Sequence, residues 1–275
     1  GVAASNTLST EGQSITLVYV DDTEGWKNVQ DSTSNVTGNP FLIASGGTES
    51  ECGNCKIHTF TGPGNFVVSA VAACAAQNIM SHLIIAGGAS GASNLGDGTG
   101  GGGAGGFREV KNPVTPYTAS PLDGYGTPAN RVTVTAQSYP IVVGGGGAGV
   151  SGNPNTATGN TGSDSSFGGI TSAGGGRGAA STPTPGNAGG SGGSGGGSGG
   201  GSSGIAGGVG NTPPVSPAQG NPGGTGGGTS PDRGGGGGGG AGAAGTASPN
   251  STTAGSGGNG VATSITGSSV TRAGG

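Results

Sequence analysis

Asp232-Arg-Gly-Gly-Gly-Gly-Gly-Gly-Gly-Ala241 carries seven consecutive glycines, Gly234 to Gly240, and Gly189-Gly-Ser-Gly-Gly-Ser-Gly-Gly-Gly-Ser-Gly-Gly200 interrupts glycine only with serine. A segment without side chains has no apolar face, so neither helical nor strand periodicity can order it. Two readings remain. One is a flexible Gly/Ser linker. The other is a bundle of polyglycine II helices, left-handed, with three residues per turn, about 3.1 Å rise and no internal hydrogen bonds. In such a bundle every N–H and C=O points outward and must pair with a neighbouring strut, which is possible only where no side chain intervenes. Glycine-rich tracts recur near 96–106, 144–149, 174–178, 186–201, 204–210, 223–228, 234–245 and 255–260, separated by Pro, Asn, Thr and Ser. Their similar lengths favour parallel struts joined by loops. Gly234 to Gly240 suits an interior helix, and Ser191 and Ser194, three apart, suit an outer helix with hydroxyls along one exposed edge. Collagen is excluded because no strict Gly-X-Y period exists.

Composition agrees with a fold that needs little side-chain burial. Of 275 residues, 73 are Gly and 16 Pro, while aliphatic and aromatic residues together make 29%, too few for an ordinary core. Charged residues are 7%, with a formal net charge of −4. Without a basic surface, neither nucleic acid nor an anionic membrane is an expected partner. The best apolar run, Phe66 to Ala76, is too short to span a bilayer. The chain opens on Gly1 with no initiator Met, cationic n-region or cleavage signal, which suggests a piece of a larger or processed product.

The first third reads as β structure. Ile15, Leu17 and Tyr19 alternate with Thr16 and Val18 ahead of the turn Asp21-Asp22-Thr23-Glu24-Gly25 and Trp26, predicting a hairpin. Lys56–Phe60 and Phe66–Val71 flank Thr61-Gly-Pro-Gly-Asn65, a second predicted turn built on φ-positive and φ-fixed residues. His82-Leu-Ile-Ile-Ala86, Tyr139-Pro-Ile-Val-Val143 and Phe167-Gly-Gly-Ile-Thr-Ser-Ala173 each run straight into glycine, so a short strand feeding a glycine tract is the repeating unit. No aromatic residue follows Phe167. The expected fold class is all-β plus non-regular: a β-hairpin and oligomerisation region over 1–50, a β plus glycine-rich domain over 51–178, and a polyglycine II bundle with Pro/Ser/Thr/Asn loops over 179–275, with no α-helix of note.

Enzymatic readings fare poorly. The two histidines, His58 and His82, lie on predicted strands and suit structural roles. No Gly-x-Ser-x-Gly elbow has a strand-to-helix context with a downstream acid and His, and no P-loop is present. No cofactor is expected. Cys52-Gly-Asn-Cys55 is the sharpest local feature. With Cys74 and His58 it could form a zinc site, which would need all four ligands gathered. The favoured reading is free thiols or one disulfide between Cys74 and either Cys52 or Cys55, and no metal.

The succession Gly12-Gln-Ser-Ile-Thr-Leu-Val-Tyr-Val-Asp-Asp-Thr-Glu-Gly-Trp26, Lys56-Ile-His-Thr-Phe-Thr-Gly-Pro-Gly-Asn-Phe66 and His82-Leu-Ile-Ile-Ala-Gly-Gly88 resembles glycine-rich virion proteins of marine tailed bacteriophages. The likeness continues through Gly100-Gly-Gly-Gly-Ala-Gly-Gly-Phe-Arg108, Tyr139-Pro-Ile-Val-Val-Gly144 and Ser165-Ser-Phe-Gly-Gly-Ile-Thr-Ser-Ala-Gly-Gly-Gly176, covering roughly 12–178. More distantly the chain is similar to the polyglycine-bundle tip adhesins of T-even-like phage long tail fibres and to the glycine-rich extracellular domain of anaplastic lymphoma kinase. The phage resemblance implies a non-catalytic fibre protein at the virion surface, a homotrimer in contact with other fibre or tail proteins, with loops that bind a host cell-surface protein or glycan. The receptor-binding candidates are Arg108, Tyr117, Tyr125 and Arg131 in the longest loop, 107–131, because Arg and aromatic side chains make efficient anchors and stack on sugars. An alternative reading of these residues is that they cap the β region. Loops 211–219 and 246–254 are further candidates. Alternative functions are a head fibre, decoration or filament subunit without a receptor, and an ice-binding polyglycine module.

Overall fold

The computed structural model describes residues 15–23, 26–31, 39, 41–93, 98–151, 157–181, 187–201, 204–228, 233–250 and 252–275. Short strands carry the regular structure: β1 Ile15–Tyr19, β2 Trp26–Asp31, β3 Ile43–Ser45, β4 Thr48–Cys52, β5 Cys55–Thr59, β6 Gly64–Ala70, β7 Ile79–Met80, β8 His82–Ile85, β9 Phe107–Val110, β10 Val132–Thr133, β11 Ser138–Ile141, β12 Ser165–Phe167, β13 Ile170–Ser172, β14 Val261–Thr263 and β15 Val270–Arg272. Among the described residues helix is confined to two 3₁₀ turns, Ala75–Asn78 and Pro128–Asn130, so the chain is all-β plus non-regular.

The predicted first hairpin is present as β1–β2, although Glu24 and Gly25 of its turn lie outside the described residues. The second turn does not join its flanks. β5 pairs back onto β4 across Gly53-Asn54, with φ +59° at Gly53, and β6 forms the centre of a three-stranded sheet between β11 and β3. Thr61–Pro63 is instead a bend between two sheets, and none of its glycines has positive φ. Phe167-Gly-Gly-Ile170 is a two-residue hairpin whose Gly168 (φ +57°) and Gly169 (φ +84°) meet the I′ requirement for positive φ at both turn positions.

A compact apolar cluster joins these sheets: Phe66, Val68, Ile84, Val132, Val134, Tyr139, Phe167 and Ile170 are buried. Phe167, the last aromatic residue in the sequence, sits at its centre. Its ring meets Phe66, His82 and Tyr139 edge-on at centroid distances of 5.8, 5.9 and 6.1 Å. Such edge-to-face pairs contribute about 0.5–1.5 kcal/mol each beyond burial.

Beyond this cluster the glycine tracts hold one another through main-chain hydrogen bonds that recur every third residue. The N–H groups of Gly100, Gly103 and Gly106 donate to the carbonyls of Ala179, Gly176 and Ala173, while those of Gly101 and Ala104 donate to Gly236 and Gly239. The same tract accepts from Ala92, Ala89 and Ala86 on one neighbour and from Gly200, Gly197 and Ser194 on another. Four neighbours around one strut, contacted in turn at three-residue intervals, is the arrangement of a polyglycine II bundle. The array draws on tracts from both sides of residue 178.

Gly234–Gly240 is buried throughout, as the absence of side chains predicts. It accepts from 101 and 104, from 221 and 224, and from 255 and 258, and donates to 195 and 198 and to 243 and 246. The serine tract departs from expectation. Ser191 is exposed, but Ser194 is fully buried, because the tract 192–200 is itself enclosed by struts rather than lying at the rim. Ser198, also buried, donates to the Ile205 carbonyl at 2.7 Å and accepts from the Gly226 N–H at 2.5 Å.

The predicted junctions are present and pass their register into the bundle. β8 and β9 pair His82 with Val110 through Ile85 with Phe107, and the same alignment continues as Ala86→Gly106, Ala89→Gly103 and Ala92→Gly100. Likewise β12–β13 extends into Gly162→Gly175 and Gly159→Gly178, and β14–β15 into Gly275→Gly258. Only the repeat changes, from two residues to three.

A Cβ on Gly238 would stand 1.9 Å from the Gly102 carbonyl oxygen, and one on Gly100 equally close to that of Gly197, whereas one on Gly145 would meet nothing within 4 Å. Gly238→Ala and Gly100→Ala should each cost about 3 kcal/mol or more by overpacking. Gly145→Ala should be neutral or stabilise by up to about 1 kcal/mol by restricting the unfolded chain. Denaturant unfolding of the three variants measures the contrast.

Candidate functional site

The loop 107–131 is tied down along its length. It starts on β9, where Glu109 is buried with its carboxylate accepting from the Ser120 N–H at 2.8 Å and from the Thr263 hydroxyl. Asp123 accepts from the N–H groups of Lys111 and Tyr125, and Ser264 exchanges hydrogen bonds with the Thr118 main chain. Asn130 donates to the carbonyls of Gly124 and Ser216, which docks the loop against the Pro-rich loop 211–219. In that second loop Gln219 is fully buried, accepting from the Ala173 N–H and donating to the Pro213 carbonyl. Loops 107–131 and 211–219 therefore share one end of the bundle. Loop 246–254, whose Ser251 lies outside the described residues, sits at the other end, where Ser248 bonds Thr225 and approaches Gly234.

The four sequence candidates divide on this framework. Arg131 lies over the Tyr125 ring, its guanidinium carbon 4.2 Å from the centroid, and donates to the Tyr125 carbonyl at 2.8 Å. The pair forms a partly exposed stacked platform. Arg108, half-buried, donates to Asn130 Oδ1 at 2.6 Å and to the Thr171 carbonyl at 3.1 Å, and burial lowers its pKa. Tyr117 stands apart, with Lys111 Nζ 5.8 Å from its ring centroid. Burial, with the Glu109 carboxylate nearby, raises its phenol well above the ordinary tyrosine range.

All three cysteines are free thiols. Cys52 and Cys55 face each other in register at the β4–β5 turn, and Cys74 is exposed on a different segment. The disulfide alternatives to Cys74 are not realised, and His58 instead places Nδ1 2.8 Å from the Gly46 carbonyl oxygen. Among the described residues no group of three or more His, Cys, Asp or Glu is gathered around a metal-sized space, so the four zinc candidates do not converge.

Sequence reasoning missed an open groove of about 510 Å³. The β4–β5 hairpin forms one wall, β8 and the ends of β11 and β12 supply much of the lining, and residues 115–118 and 264–267 complete it. Phe60, Met80, Leu83, Ile85, Ile141 and Val143 make the lining largely apolar. His58 and His82 both line it. Their Nδ1 atoms face the carbonyls of Gly46 and Met80, with Glu49 Oε1 3.8 Å from that of His58, and a carbonyl only accepts, so Nδ1 of each ring carries a proton. Burial lowers the pKa of His82 to about 4, which keeps that ring neutral at ordinary pH. The groove collects residues from segments more than 200 positions apart, so no linear motif could reveal it.

No curated protein and no solved structure matches the chain. A family model described as a glycine-rich domain matches residues 59–275, from the end of β5 through every glycine tract of the bundle. The chain belongs to this glycine-rich domain family.

Proposed function

We propose that this chain is a non-catalytic fibre protein of a tailed-phage virion, in which the glycine bundle is a stiff mount for loops that attach to a host cell-surface protein or glycan. The observation that carries the reading is the docking of loops 107–131 and 211–219 onto one end of a main-chain-bonded bundle. Recognition loops are commonly held by a rigid scaffold in this manner. The Tyr125–Arg131 platform is the contact surface favoured by chemistry, since an aromatic face and a guanidinium serve both sugars and protein side chains. Arg108 steadies it through its bond to Asn130, and Tyr117, set apart with Lys111, is a separate candidate contact. Location at the virion surface follows from this assignment.

The β1–β2 hairpin supports assembly into a homotrimer. Leu17, Val18, Tyr19, Val20 and Trp26 are all exposed, Trp26 at 66%. A two-stranded hairpin is marginal alone in water, and an exposed apolar cluster of this kind marks an interaction surface. The same hairpin also favours a second reading, a head-fibre, decoration or filament subunit whose main partner is itself.

One measurement tests the assembly that both readings share, and a second separates them. Tyr19→Ser with Trp26→Ser should convert the oligomer largely to monomer in analytical ultracentrifugation, while a species already monomeric before substitution would overturn the trimer. Recombinant trimer should adsorb to susceptible bacteria and compete with infection. Tyr125→Ala with Arg131→Ala should weaken adsorption at least about tenfold with unchanged thermal unfolding. Absence of adsorption by the unsubstituted trimer leaves the self-assembling structural reading in place of attachment.

A further inference from the structure

The groove at the junction of the sheets and the bundle has no part in either reading above, and its chemistry is unusually one-sided. Its volume, about 510 Å³, falls in the range of small-molecule sites, roughly 300–1,000 Å³. Among the described residues no Asp or Glu lines it. Its charged lining residues are Lys56 and Arg272, both cationic. Lys56 is already paired with Glu49 at 3.1 Å. Among the described residues Arg272, on β15, donates to neutral oxygens, the Thr266 hydroxyl at 3.1 Å and the Val270 carbonyl at 3.4 Å, and no carboxylate pairs with it. A guanidinium has five donors, so Arg272 retains capacity for a bidentate carboxylate.

We infer that this groove is a binding site for a small amphipathic carboxylate, its apolar body lying along Phe60, Met80, Leu83 and Ile85 and its head group at Arg272. The apolar walls supply most of the affinity by burial, and the single uncompensated cation selects the sign of the head group. The buried His82 imidazole, neutral at ordinary pH, adds no charge to the floor. Burial keeps His82 uncharged at ordinary pH, so the preference for an anion is assigned to Arg272, whose guanidinium stays charged through neutral and mildly alkaline conditions.

The test uses the full chain in its native oligomer with a fluorescent dansylated fatty acid as probe, displaced by decanoate, decanol or decylamine. Saturable binding of one probe per chain is expected, with decanoate displacing it at least about tenfold better than decanol and decylamine weakest of all. Arg272→Gln should weaken decanoate about tenfold and leave decanol unchanged. Ile85→Trp, which fills the groove, should abolish binding, and identical thermal unfolding with and without the substitution establishes that the fold survives. If Ile85→Trp fails to fold, the Arg272→Gln comparison decides alone. The proposal is overturned if the probe does not saturate, if the three displacers are equivalent, if folded Ile85→Trp still binds, or if the probe binds only dissociated chains because a second copy fills the groove. Host adsorption is measured separately, so failure here leaves the attachment reading intact.

Discussion

Everything in this architecture rests on one steric condition, that neighbouring main chains approach closely enough to satisfy each other's N–H and C=O groups. A typical hydrogen bond contributes only about 0.5–1.5 kcal/mol net, but an unpaired buried donor or acceptor costs about 1–3 kcal/mol. A strut surrounded by others must therefore pair nearly all its groups, and Gly234–Gly240 does so by dividing them among five neighbouring tracts. Ordering glycine carries a larger entropic cost than ordering any other residue. Dense pairing, with Cα–H···O contacts between struts, offsets that cost only if every interior position remains glycine or an equally tolerated small residue. The buried alanines and serines, such as Ala104, Ala179, Ala180 and Ser198, mark where the array leaves room for more than hydrogen.

A polyglycine tract satisfies this condition in many registers, since its residues are identical. Register information has to come from elsewhere, just as side-chain pattern pins it in an ordinary sheet. Here it comes from the short strands. β8–β9 and β12–β13 are aligned by buried side chains, among them Ile84, Phe107, Phe167 and Ile170, and the glycine ladders continue their alignment without a slip. Sparse side chains repeat the service farther out. Gln219 bridges Ala173 and Pro213, and Asn221 donates to the carbonyls of Gly240 and Ala241. The modest aromatic cluster around Phe167 thus acts at a distance, by fixing which glycine faces which.

This division of labour explains what could be read from the residues in advance. The need for main-chain pairing, the strand-to-glycine junctions and the interior place of Gly234–Gly240 follow from composition and from the three-residue period, because they depend on local chemistry. The destination of each strand does not. Nothing in Lys56–Phe60 says that it pairs with Thr48–Cys52 rather than with Phe66–Val71, since both choices satisfy alternation. Ser194 departs from the expected rim for a related reason. A period of three fixes which residues share an edge, but exposure of that edge depends on how many struts gather around it. The candidate loop shows the same limit: its Arg and Tyr residues were legible as interface chemistry, yet the stacking of Arg131 on Tyr125 and the bond from Arg108 to Asn130 arise only when 107–131 closes on itself.

Where a side chain is excluded from the interior, chemical variety is confined to segments that leave the array. In this chain those are the loops 107–131, 211–219 and 246–254, the terminal hairpins and the sheet side of the junction. Nearly all aromatic and charged groups lie there, and substitution within the loops leaves the ladders untouched so long as anchors such as Asn130, Gln219 and Asn250 keep their bonds. Stability and recognition are thereby separated along the chain, the first carried by backbone and the second available to side chains. The groove arises from the same separation. It lies between the β4–β5 hairpin and the strands that feed the bundle, an apolar surface that neither the side-chain core nor the main-chain array covers.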